Sequence, residues 1–196
     1  MVDYFLFDLD GTITMEELLP RIARKIGVWD EIYELTKHTI AGDIPFEVSL
    51  RHRVEILSRA KVSEIRKIVA GVELNPDILR FIQKNKHKCY IVTGNLDVWI
   101  SELVERIDIP VLCSMVSIKD DMITSLRTVL NKREAAQSFQ GNFVAIGEGA
   151  NDYGMFELAS ESIAYGGVHE PARQLLEIAT YLTYRSDTLC NILSQL

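Results

Sequence analysis

The sequence predicts an α/β protein: a doubly wound parallel sheet carrying a small helical insertion directly after its first strand. Three observations predict it. From about residue 76 onward, helix-period and strand-period segments alternate, the pattern of a parallel sheet with helices on both faces. The chain opens on a short apolar run, Val2 to Phe7, rich in aromatics and ended by polar residues and a glycine, which reads as a buried strand. Between these two regions, roughly Met15 to Gly71, apolar residues recur at three- and four-residue spacing with no strand pattern.

Taken in order, the first strand ends in Asp8-Leu9-Asp10-Gly11-Thr12. Side chains alternate along a strand, so two carboxylates two residues apart point the same way if it continues. Gly11 ends it and leaves both near the crevice outside the carboxyl ends of the strands, where open α/β sheets bind ligands. Like charges that close need a cation or a retained proton. The next segment reads as helices over about 16–26, 30–41, 46–59 and 62–70, punctuated by Gly27, Gly42 and Pro45. A helix at 76–86 then precedes a strand at 89–92, and a helix at 97–106 a strand at 111–118. Lys119-Asp120-Asp121-Met122 reads as a turn. Helices at 131–139, 151–159, 169–178 and 187–195 interleave with strands at 143–146, 162–165 and 180–184. The expected division is a core of 1–14 and 72–196 and a helical cap of 15–71.

The 196 residues suffice for one core and a small second module, and the 47% hydrophobic and 25% charged content is that of an ordinary globular chain. A net charge of −7 with no basic run argues against a nucleic-acid surface. Three widely spaced cysteines, Cys89, Cys113 and Cys190, suggest a reducing compartment and no disulfide framework. No signal-peptide pattern and no membrane-length apolar stretch is legible, so a cytoplasmic protein is expected, a monomer or homodimer without membrane partners.

Several motifs have ordinary explanations. Asp and Gly are common in turns, so Asp8 and Asp10 alone say little. Thr93-Gly94-Asn95 follows the apolar Cys89-Tyr90-Ile91-Val92 and reads as a strand-to-helix turn with Asn95 or Asp97 as cap. Lys132 and Arg133 open a helix, where a cation is usually solvated. Gly147-Glu148-Gly149-Ala150-Asn151-Asp152 follows Phe143-Val144-Ala145-Ile146 as a glycine-rich turn capped by Asn151. Thr14-x-x-Glu17 matches a capping box, which explains Glu17 without any ligand. In the helix from Phe46, the residues Phe46, Leu50, Val54 and Leu57 form one apolar stripe with Arg53 on its edge, while Arg51 and His52 point away. Burying an unpaired guanidinium is costly, so Arg53 either snorkels or presents a planar fork to a carboxylate.

Asp-x-Asp-Gly-Thr after an N-terminal apolar strand resembles the first motif of the haloacid dehalogenase superfamily of phosphohydrolases. The resemblance implies that Asp8 is the nucleophile, forming an aspartyl-phosphate, and that Asp10 gives a proton to the leaving oxygen and then helps water attack. It makes Thr93 and Gly94 phosphate-oxygen ligands, selects Lys132 over Arg133 as the cation beside Asp8, and turns residues 147–152 into a metal loop. That loop implies Mg²⁺, held by Asp8, Asp10, Glu148 and Asp152. Glu148 stands where the superfamily has its direct aspartate ligand. The extra methylene moves the carboxylate by more than about an ångström, which lowers activity or shifts preference toward Mn²⁺.

Glu17, nine residues after Asp8, with Phe46-x-x-x-Leu50-Arg51-x-Arg53-Val54, is similar to the phosphoserine phosphatases. Glu157-Leu158-Ala159 and Tyr165-Gly166-Gly167…Pro171 add to that similarity, which covers nearly the whole chain and weakens between Lys119 and Phe143. In that group the positions of Glu17 and Arg53 hold the amino and carboxylate groups of phosphoserine, and that of Phe46 packs over them. Asn151 is placed with the substrate ligands. The group has Gly-Phe where this chain has Asn95-Leu96, so Asn95 puts a side chain where the amino-acid end of the substrate lies. The function implied is hydrolysis of L-phosphoserine, a step of serine biosynthesis. The rivals are a phosphatase or phosphotransferase for another small phosphate ester, and an impaired member that binds a phosphorylated metabolite without turnover.

Overall fold

The computed structural model describes residues 2–40 and 44–196. The side chains of Lys37, Thr39, Ile40 and Phe46 fall outside the description, and so does the placement expected for the Phe46 ring.

Strand β1 (Tyr4–Phe7) lies at the centre of a seven-stranded sheet of order β4-β3-β2-β1-β5-β6-β7. It pairs in parallel with β2 (Cys89–Leu96) and β5 (Phe143–Gly147). Alternation along it sends Phe5 and Phe7 into one apolar cluster and Leu6 into the other, on the opposite face. Both faces are covered, so the central strands read as continuous apolar runs rather than alternating ones. The remaining strands are β3 (Val111–Lys119), β4 (Met122–Thr128), β6 (Glu161–Tyr165) and β7 (Tyr181–Thr183).

Between β1 and β2 run α1 (Leu18–Ile26), α2 (Trp29–Ile40), α3 (Phe46–Leu57), α4 (Val62–Ala70) and α5 (Pro76–Lys84). The first four leave and rejoin the core at one place, where Thr14 bridges Leu74 and the Met15 N–H donates to the Glu73 carbonyl. Leu18, Ile22, Leu50, Val54, Leu57, Ile65 and Val69 bury their side chains in the same cluster as Phe5 and Phe7. The described part of the α3 stripe forms as expected: Leu50, Val54 and Leu57 are buried, Arg53 is half-buried, and Arg51 and His52 are exposed.

The later helices are α6 (Asp97–Ile107), α7 (Lys132–Gln137), α8 (Tyr153–Phe156), α9 (Arg173–Leu176) and α10 (Ser186–Leu193). Helices α8 and α9 are single turns, shorter than the spacing predicts. No described helix is long and apolar enough to cross a membrane, and the three cysteines are free thiols.

Two features of the sheet also depart from the sequence-based expectation. Residues 122–128, for which the sequence predicts no element, form β4, antiparallel to β3. Its burial is weak and irregular, so no two-residue period is legible. The hairpin is made by Asp120 and Asp121, both at positive φ (52° and 64°), as a two-residue turn matching the strand twist requires. The second departure is in β2, which continues to Leu96 through a stretch whose composition reads as a turn. Its ladder with β3 slips between Val92 and Leu96, and such irregularities re-aim side chains beside functional sites.

Candidate active site

The carboxyl ends of β1, β2 and β5 open on a chamber of about 150 Å³. Beyond β1 the chain turns sharply at Gly11 (φ 63°), so Asp8 and Asp10 both line it. Strand β2 contributes Thr93, Gly94 and Asn95, and the loop after β5 contributes Glu148, Gly149 and Asn151. The helical insertion supplies Glu17, Leu50 and Arg53 from the other side.

Beneath this floor lies Lys132, only 4% exposed, with its Nζ 2.5 Å from Asp8 Oδ1 and 2.5 Å from Asp152 Oδ1. Burial works against the charged amine, but Asp152 and Asp8 outweigh it and hold its pKa above the ordinary value. Arg133, one residue on and about 100° round the helix, points outward and pairs with Glu157. Asp152 is fully buried and also accepts from the Gly149 N–H at 2.9 Å. The Asp8 N–H donates to the Ile146 carbonyl at 2.9 Å, tying the end of β1 to β5.

The capping box expected at Thr14 and Glu17 does not form. Helix α1 starts at Leu18 with Glu17 at the cap position and no side-chain bond to the helix, while the Thr14 hydroxyl accepts from the Gly11 N–H and donates to the Glu16 carbonyl. Glu17 is thereby free to face the chamber. His169 Nε2 stands 3.6 Å from Glu17 Oε1, a contact between residues 152 positions apart that no local pattern signals. Trp99, from α6, also lines the chamber, and nothing in the sequence around it marks it for that place. Among the described residues, two buried side-chain nitrogens lack a hydrogen-bond partner: Arg53 Nε and Trp99 Nε1.

Five carboxylates share this region with two cations. Burial, then the charge of Asp8, raises Asp10 to about 6. Burial, then Asp10 and Asp8, raises Glu17 to about 8. Burial, then Asp8 and Glu17, raises Glu148 to about 10. Burial raises Asp152 to about 6 against the opposing pull of Lys132. Glu148 lies against Gly11, where an added Cβ would collide with its carboxylate, and accepts from the Thr12 hydroxyl at 3.5 Å. A hard, oxygen-only donor set with excess negative charge fits Mg²⁺ or Mn²⁺. No three His, Cys, Asp or Glu side chains among the described residues form a ready-made cage. Mg²⁺ does not require one, because it commonly takes one or two carboxylates with waters and substrate phosphate.

These shifts predict a pH-dependent stability. Carboxylates whose folded pKa lies above the unfolded value near 4–4.5 favour the fold while protonated. Their contribution is present at low pH and is lost as pH rises through about 6 (Asp10, Asp152), 8 (Glu17) and 10 (Glu148). In chelator, the melting temperature should therefore fall from pH 5 to pH 9. Added Mg²⁺ should raise it, and more so at pH 8 than at pH 5. A melting temperature indifferent to Mg²⁺ at pH 8 would remove the cation from this site.

The acidic end of β1 thus faces a buried lysine across a threonine on the neighbouring strand. The profile of the haloacid dehalogenase-like hydrolases matches residues 5–157, and the chain belongs to that family. Within it, the chain is similar to phosphoserine phosphatases. That of Methanocaldococcus jannaschii is 28% identical over 82% of this chain and 83% of its own length. That of Idiomarina loihiensis is 27% identical over 96% of this chain and 90% of its own. A solved substrate-bound phosphoserine phosphatase complex superposes with a TM-score of 0.82 at 26% identity, covering 100% of this chain and 99% of that one.

Proposed function

We propose that this chain is a divalent-cation-dependent phosphomonoesterase that hydrolyses L-phosphoserine to L-serine and phosphate, with residues 15–71 acting as a cap over the site. The observation that carries the proposal is the buried Lys132 joined to both Asp8 and Asp152 beneath a chamber whose far wall holds Arg53.

In this reading a carboxylate oxygen of Asp8 attacks phosphorus, forming a P–O bond while the ester P–O bond breaks. Asp10 gives its proton to the departing serine oxygen, and the carboxylate that results takes a proton from the water that then cleaves the aspartyl-phosphate. Lys132, the Thr93 hydroxyl and the backbone at Gly94 offset and orient the phosphoryl oxygens, with Asn151 at the rim. Mg²⁺ or Mn²⁺, held by Asp8, Asp10 and Glu148 with Asp152 behind them, would neutralise charge between the nucleophile and the phosphoryl group.

Arg53 decides the substrate class. Burial lowers its pKa and Glu17 opposes that fall, and its Nε lacks an acceptor. A carboxylate on the substrate would provide that acceptor, and Glu17 would receive the ammonium group. Arg53→Ala is expected to raise KM for L-phosphoserine about 10–100-fold, the loss of a charge-assisted hydrogen bond. KM for a phosphate ester without a carboxylate should move far less. Equal changes on both would discard the carboxylate role.

The experiment for the function is phosphate release from L-phosphoserine, phosphohomoserine, phosphothreonine and sugar phosphates, with Mg²⁺ and with Mn²⁺, beside Asp8→Asn as blank. A different small carboxylate-bearing ester is the second reading, favoured by the Asn95 side chain and the Trp99 ring in the chamber wall. Preference for phosphohomoserine or phosphothreonine would select it, whereas preference for a sugar phosphate would discard the carboxylate role of Arg53. Release with neither metal, restored by Glu148→Asp, would favour a chain that binds a phosphorylated ligand without turnover.

A further inference from the structure

Asn95 sits at the irregular end of β2, 6% exposed, and its amide joins two groups that the proposed chemistry uses separately. One Nδ2 proton goes to Asp10 Oδ2 at 2.7 Å and the other to Thr93 Oγ1 at 3.0 Å. The Asn95 backbone N–H also donates to Thr93 Oγ1, at 3.2 Å.

A hydroxyl has two acceptor sites and one proton. Asn95 fills both acceptor sites of Thr93, so the Thr93 O–H is left to donate, and the open direction is the chamber that Thr93 lines. On the other side, Asp10 is fixed at both oxygens, by Asn95 at Oδ2 and by the Leu18 N–H at Oδ1, 3.1 Å away. Each oxygen keeps a further site for the proton it would transfer. Leu18 opens α1, so the carboxylate is clamped between β2 and the helical insertion. A glycine at position 95 would keep the backbone donor and lose both side-chain bonds.

We propose that Asn95 is a positioning residue: its amide sets the Asp10 carboxyl and the Thr93 hydroxyl in a fixed mutual geometry, so that leaving-group protonation and phosphate binding are aligned together. The inference rests on the phosphatase reading above.

The test is Asn95→Leu, which keeps about the same side-chain volume and removes both donors. It is assayed on two esters at saturation, with Asp8→Asn as blank. L-Phosphoserine releases an alkoxide-type oxygen that needs a proton, whereas p-nitrophenyl phosphate releases a stable phenolate that needs little. With Asp10 released but still present, kcat on L-phosphoserine should fall about 10–100-fold, a fraction of the ~10²–10⁴-fold that general acid catalysis contributes. On p-nitrophenyl phosphate it should fall only a few-fold, the share owed to Thr93. The ratio of the two kcat values does not depend on how much of the variant is folded, so partial misfolding leaves the readout intact. An unchanged ratio in an enzyme whose wild type turns over both esters would overturn the role of Asn95 alone. A wild type no better than Asp8→Asn on either ester would overturn the phosphatase reading and the inference with it.

Discussion

Asp8→Asn is expected to reduce phosphate release by about 10⁴-fold or more, the scale on which removing a nucleophile acts when its neighbours work as a unit with it. The substitution keeps the shape of the side chain and an oxygen able to accept from Lys132, so the fold should survive. It also removes one negative charge from a cluster in which Asp8 raises Asp10, Glu17, Glu148 and Asp152. In chelator at pH 8 the variant should therefore melt no lower than the wild type, and its stability should depend less on pH. Loss of turnover with stability retained or gained is the signature of a group held in place for chemistry rather than for folding. Mass spectrometry of acid-quenched wild type should show one added phosphoryl group on the peptide carrying Asp8, and none in the variant. Substantial turnover by Asp8→Asn, or a phosphoryl group on another residue, would move the nucleophile elsewhere.

Lys132→Met should have the largest effect on stability, about 3–5 kcal/mol at pH 8, the usual result of removing one partner from a buried ion pair. For a chain of this length that is a drop in melting temperature on the order of 10 °C. Methionine fills similar volume, so most of the loss reflects the charges left behind: Asp8 and Asp152 would lie buried with no cation. The pH dependence separates this cause from mere repacking. Lys132 is charged in both states below about pH 10, so its own titration contributes no slope between pH 5 and pH 8. Asp152, raised by burial to about 6, does titrate there. Without the opposing pull of Lys132 its folded pKa rises further in the variant, so it takes up a proton and relieves the penalty as pH falls. The gap between wild type and variant, from urea unfolding in chelator, should be smaller at pH 5 than at pH 8. A gap of the same size at both would assign the loss to packing.

Much of the site was legible because the signals are local. An apolar run closed by Asp-x-Asp-Gly-Thr marks a strand end, and Arg53 on the edge of a helical stripe is a matter of periodicity. Where local signals compete, they mislead. Thr14 and Glu17 have the spacing of a capping box, yet the chain turns at Gly11 and commits the Thr14 hydroxyl to that turn. The weakly buried β4 had no period to read, because an edge strand facing solvent on much of its surface is under little compositional pressure.

Read alone, the chain revealed the order of strands and helices apart from β4, the acidic end of β1, the glycine-rich loop after β5 and the helical block between β1 and α5. These follow from side-chain period and turn chemistry over a few residues. The family resemblance pointed to Lys132 over Arg133, but the lysine's distances to Asp8, 124 positions away, and to Asp152 come from the three-dimensional fold alone, as does the bridge from Thr93 through Asn95 to Asp10, 85 positions away. The fold also decided that Glu148 rests on Gly11. The physical reason is common to all three. The sheet order places β1 between β2 and β5, so residues from distant segments meet at one edge, and a hydrogen bond between them depends on ångström-scale placement that no local pattern encodes.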